Sequence, residues 1–136
     1  MKIRRSFTLL ELIVVIIIIG VLATLGFVQY SKVVEKGRRA EAATNLGSLR
    51  SMAYVWHQEG GHGTAYPATA DLSSLLGLPT SCSQLTHYFS YSINSGNGTA
   101  TATRCTSGGK SPSSTEAYNM GLTIDGIKSS SPAGLW

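Results

Sequence analysis

Acidic residues are scarce in this chain. Only 7 of its 136 residues are Asp or Glu, and they are spread too widely to supply the facing carboxylates of acid–base catalysis. There is no P-loop, HExxH pair, GxSxG elbow or dinucleotide fingerprint, so the common nucleotide and hydrolase chemistries lack their carriers. The three histidines, His57, His62 and His87, are scattered, and Gly60 and Gly61 separate the first two. They read as exposed side chains rather than metal ligands. Asp125 is a single acid where calcium needs several oxygen ligands. No enzymatic activity, metal or cofactor is expected. Charged residues of any kind are only 13% of the chain. The formal charge of +4 includes Lys2, Arg4 and Arg5 and falls to +1 without them, a poor basis for nucleic-acid binding.

Charge is most completely missing from residues 7–28, FTLLELIVVIIIIGVLATLGFV, where Glu11 is the one ionisable carboxylate. As a helix this stretch rises roughly 33 Å, about the thickness of a bilayer hydrocarbon core. Its apolar residues surround the helix, so it needs lipid or other helices on every side. A cleaved secretory signal is disfavoured. Its apolar region would be shorter, and no A-x-A-like site follows. Basic residues flank both ends, Lys2, Arg4 and Arg5 before and Lys32, Lys36, Arg38 and Arg39 after, so charge bias does not orient it. A carboxylate inside such a helix is costly and marks a functional residue in need of a partner.

Ser6-Phe7-Thr8-Leu9-Leu10-Glu11, set between a short basic leader and the apolar helix, resembles the N-terminus of type IV pilins and type II secretion pseudopilins. The resemblance implies that a prepilin peptidase cuts between Ser6 and Phe7 and methylates the new amine of Phe7. It implies no catalytic residue in the chain itself. Phe7, Thr8 and Glu11 would act in assembly, Glu11 by drawing the amine of a neighbouring subunit. The partners implied are further copies in a helical filament, the peptidase, and an inner-membrane assembly platform with its ATPase. The subunit would reside in the inner membrane and then in an extracellular pilus. The alternatives are a periplasmic pseudopilus of a type II secretion system, or a minor or DNA-uptake pilin. From a different class comes a membrane-anchored binding domain or enzyme, which would be monomeric, uncleaved and built around a pocket. Two positions depart from the family pattern. Ser6 stands where Gly usually precedes the cut, and it too is small. Val28 stands where many pilins have Pro, so Gly20 and Gly26 remain the weak points of the helix, each costing roughly 1 kcal/mol relative to Ala.

The organisation expected is a leader over 1–6, a membrane or filament-core helix over 7–30 and a globular domain over 31–136. Beyond Ser31 the helix turns polar, with Lys36, Arg38 and Arg39 forming a solvated neck or lipid contact. It then becomes one-sided, since Ala42, Leu46, Leu49, Ala53 and Trp56 share a face that Ala43 and Met52 widen. One helix from Phe7 to about Gln58 would span roughly 78 Å. Gly60, Gly61 and Gly63 supply its stop. Leu72, Leu75 and Leu76 sit in a short helix turn and are expected to pack on the domain. Residues 88–93 and 99–106 read as strands about a turn at Asn94-Ser95-Gly96-Asn97-Gly98. Asn97-Gly98-Thr99 also fits a glycosylation sequon, though a hairpin turn is the simpler reading. Residues 118–128 read as a third strand with room for a fourth, turning at Asp125-Gly126, after a loop over 107–115. The fold class is α+β, a long helix packed on a small antiparallel sheet. The two cysteines, Cys82 and Cys105, lie in the part presumed exported and are expected to pair. Closing that loop of about 24 residues contributes roughly 3 kcal/mol in the chain-entropy model. Leu135 and Trp136 are apolar and are expected to dock.

Overall fold

The computed structural model of the chain describes residues 7–60, 65–110 and 117–136. The leader with Ser6, the glycines Gly61 and Gly63 of the expected helix stop, and residues 111–115 of the expected loop lie outside the described residues. The chain forms two compact units, Met1–Gly37 and Arg38–Trp136. A single helix, α1, spans Leu9–Gln58.

In the first unit the large apolar side chains from Phe7 to Val33 are exposed on all sides of the helix. Two of the hydroxyls among them donate to their own backbone. Thr24 Oγ1 donates to the Val21 carbonyl at 2.7 Å and Ser31 Oγ to the Val28 carbonyl at 3.0 Å. Hydroxyls satisfied in this way ask nothing of a surrounding apolar medium.

The second unit has a closed core. On α1, Ala42, Leu46, Leu49 and Ala53 are 0% exposed, and Ala43 and Met52 pack beside them. This is the face that the spacing indicates, except that Trp56, read as its last member, is only half-buried. Leu72 opens the short helix α2, Leu72–Leu76, and is also fully buried, but Leu75 and Leu76 are exposed at 46% and 38%. The expectation that all three leucines pack on the domain is therefore corrected. The i, i+3, i+4 spacing puts the three on one side of the helix, but only Leu72, at its first position, reaches the core.

Four strands, β1 (Phe89–Ile93), β2 (Ala100–Arg104), β3 (Asn119–Leu122) and β4 (Lys128–Ser131), form an antiparallel meander in chain order. Alternation sets the faces. Phe89, Tyr91 and Ile93 point inward from β1, and Ala100 and Ala102 from β2. The small residues on β2 stand between bulky ones, Ala102 pairing with Tyr91 on one side and Met120 on the other. The Tyr91 hydroxyl accepts a 2.8 Å hydrogen bond from Asn45 Nδ2, and burial raises its pKa. The turn between β1 and β2 closes through Gly98 N–H to the Asn94 carbonyl at 2.8 Å, with Gly98 at φ +67°. A Cβ there would stand 2.9 Å from the Tyr66 ring, so glycine is required. The sequon thus lies in a hairpin turn. Thr123 and Ile127 close the β3–β4 turn around Asp125-Gly126.

Cys82 and Cys105 form a disulfide with Cα atoms 5.7 Å apart. It ties the α2–β1 connection to the end of β2. Leu135 packs against the core, and Trp136 Nε1 donates to the Ser129 carbonyl at 2.6 Å beside β4. The end of the chain is docked, as expected.

Candidate assembly site

Thr8 and Glu11 shape the start of α1. Thr8 Oγ1 accepts a hydrogen bond from the Glu11 backbone N–H at 3.2 Å, and the Thr8 carbonyl accepts from Leu12 N–H at 3.3 Å. Thr8 thereby satisfies one of the donors that a first helical turn leaves unpaired, a cap worth about 1 kcal/mol. Resemblance alone assigns Thr8 to assembly. The Thr-x-x-Glu spacing is the signal in the residues that gives it this local role. Glu11 is the acidic residue of the first turn, where a carboxylate opposes the positive end of the helix dipole.

The structure brings Phe7, Thr8 and Glu11 together at one helix end. Phe7 is 72% exposed, and Glu11 is exposed. Gly20 and Gly26 lie further along the helix, which continues unbroken through both. Nothing stands within 4 Å of where a Cβ would be at either glycine, so no close approach within the chain calls for them. Among the described residues, α1 is the one helix long and apolar enough to cross a membrane, and none of its most apolar stretch is buried.

The second unit holds a group of cations that the sequence pattern does not foretell. Arg38, Lys110 and Arg104 lie 4.5, 5.2 and 5.6 Å from the centre of the Tyr88 ring, and Arg39 lies 5.0 Å from that of Tyr118. Arg38 and Arg39 are half-buried, which corrects the solvated neck expected of them. Their stems and guanidinium planes cover aromatic faces instead. Arg104 occupies the inward slot after Ala100 and Ala102 on β2 and is 2% exposed. Its Nη1 donates to the carbonyls of Tyr88 and Cys105 at 3.1 and 3.2 Å. Strict alternation along β2 is the signal that places it inside.

His57 stacks on Tyr66 with ring centres 4.8 Å apart, and His87 bonds Thr86 and the Ser81 carbonyl. Among the described residues no three His, Cys, Asp or Glu side chains gather as metal ligands would.

A family model described as the prokaryotic N-terminal methylation motif matches residues 1–27. No solved structure matches the chain. The chain therefore carries a prepilin-type methylation motif joined to a long apolar helix, with a disulfide-bonded α+β unit after it. This combination supports the type IV pilin and pseudopilin family, whose members are structural proteins processed by a prepilin peptidase.

Proposed function

We propose that the chain is a structural subunit of a type IV pilus-like filament, without catalytic activity of its own. The observation that carries this reading is the methylation motif at residues 1–27 covering the start of a helix whose large apolar side chains up to Val33 are exposed. Such a helix is stable in lipid before assembly. Packed against copies of itself, it remains stable once drawn out of the membrane. The peptidase cuts between Ser6 and Phe7, and the new Phe7 amine is methylated. That amine lies one turn from Glu11, and the Glu11 carboxylate pairs with the amine of a neighbouring subunit. The capped first turn, in which Thr8 holds the Glu11 backbone, supports this reading.

Electron microscopy of purified surface filaments, with intact-mass measurement of their subunit, tests the proposal. The expected mass is that of a chain beginning at Phe7 with one methyl group and an intact disulfide. A filament subunit that keeps residues 1–6 would refute the processing. A monomeric membrane protein with no filament would refute the function.

A further inference from the structure

The unit Arg38–Trp136 carries an apolar groove of about 430 Å³ lined by Ser51, Met52, Val55, Trp56, Glu59 and Leu75. It lies between the last turns of α1 and the exposed side of α2. Val55 and Leu75 are 54% and 46% exposed there. The same unit has an apolar projection, Leu85, in the loop between α2 and β1. At 76% exposed it is the barest large apolar side chain of that unit among the described residues. The loop is anchored on both sides of Leu85, by the Cys82–Cys105 disulfide and by the bond from Lys110 N–H to the His87 carbonyl.

Groove and projection lie at opposite ends of the unit. Arg38 lies over Tyr88, Asn45 bonds Tyr91, and His57 stacks on Tyr66, whose N–H bonds the Ser95 carbonyl. Strand β1 thus runs beside α1 in the same sense. Leu85 lies just beyond the Tyr88 end, and the groove lies near the Ser95 end. The helix between Arg38 and Val55 rises roughly 25 Å. The charges at the two ends are opposite. Exposed Glu59 lines the groove, and exposed Lys110 stands beside the Leu85 loop.

We propose that Leu85 of one copy seats in the Met52–Val55–Trp56–Leu75 groove of the next, with Lys110 facing Glu59. Knob and hole occupy different surfaces, so the contact is heterologous. It passes from copy to copy without using up its own surface, as an open filament requires. The match of Lys110 to Glu59 selects a second copy as the occupant. The inference rests on the filament reading above and adds the contact between globular units.

The test places a photoreactive amino acid at position 85 of the full chain in cells that assemble it. Irradiated filaments should yield a dimer whose adduct maps to residues 51–75 of another copy. Leu85→Asp, made at an exposed site, should lower filament yield by about tenfold, the scale of 1.4 kcal/mol lost at one contact, with membrane abundance and the disulfide unchanged. Glu59→Lys should lower the yield several-fold, and adding Lys110→Glu should restore it. Filaments at parental yield from Leu85→Asp, or adducts that all map outside the groove, would overturn this contact and leave the filament reading standing. A parent chain that forms no filament would overturn both.

Discussion

The two units of this chain handle apolar surface in opposite ways. From Phe7 to Val33 the large apolar side chains are exposed, among them Leu22 at 63% and Phe27 at 76%. From Arg38 onward, Leu46, Leu49, Leu72 and Phe89 are buried at 0–1%. The first unit is complete only in lipid or against other helices. The second closes its own core, and a disulfide holds one of its connections. Assembly drive therefore resides in the first. Whatever distinguishes one such subunit from another resides on the surface of the second. If that division is right, changes in the core and disulfide of the second unit should show in its unfolding, whereas changes in the first should show only in assembly.

The largest effect is expected from Glu11→Gln. It keeps size and hydrogen bonding and removes the charge. An ionised carboxylate left unpaired in an apolar bundle costs several kcal/mol, and a pair recovers it. The variant should insert and be cleaved normally, yet be nearly absent from filaments when membrane abundance is equal. Quantitative blotting of sheared filaments against membranes measures this. Parental incorporation would show that the charge pair is dispensable.

Leu49→Ala tests the other side of the division. Leu49 is fully buried, and emptying such a site costs about 2–5 kcal/mol. Urea unfolding of a fragment spanning 38–136 should show that loss at an unchanged slope. Glu11 variants have no counterpart in that assay. Next in size is the disulfide. Reduction of Cys82–Cys105 should lower the stability of the same fragment by roughly 3 kcal/mol in the chain-entropy model. A shift of a few tenths would mean that the reduced loop stays closed through other contacts, such as the packing of Gly108 against the Cys82 backbone.

The two units also differ in how much their residues disclose. The apolar run, Glu11 and the buried face Ala42–Leu46–Leu49–Ala53 follow from composition and periodicity, because a helix repeats regularly over many residues. The first three strands follow from alternation and from the turns at Asn94-Ser95-Gly96-Asn97-Gly98 and Asp125-Gly126, whereas β4 lies past the stretch read as strand, because its three serines carry no apolar alternation. What is hidden is tertiary. Arg38 and Arg39 read as solvated because nothing nearby in sequence announces Tyr88 and Tyr118. Leu75 reads as core because it shares a helix face with Leu72, whereas only the first position of α2 meets the core and Leu75 is left 46% exposed. Arg104 needs two facts at once, an inward slot and two carbonyls to receive its protons. Thr8 is the reverse case. Its cap is legible in the Thr-x-x-Glu spacing alone.

The smallest expected effect concerns Gly20 and Gly26, and it probes the first unit without touching its charge. Both lie inside an unbroken helix with open space where a Cβ would be, so replacing them with Ala meets no steric objection. Each replacement should favour the helix by roughly 1 kcal/mol. Val28 keeps its N–H and does not break the backbone ladder as Pro would. If the two glycines are where the helix yields on leaving the membrane, amides around them should exchange with deuterium faster than those near Ile17 in assembled filaments. The double variant Gly20→Ala and Gly26→Ala should slow that exchange by about an order of magnitude, while insertion and cleavage stay unchanged. Filament yield should fall only if yielding at the glycines is a step in assembly. Uniform exchange along the parent helix would remove them as points of flexibility and leave the Glu11 pairing untouched.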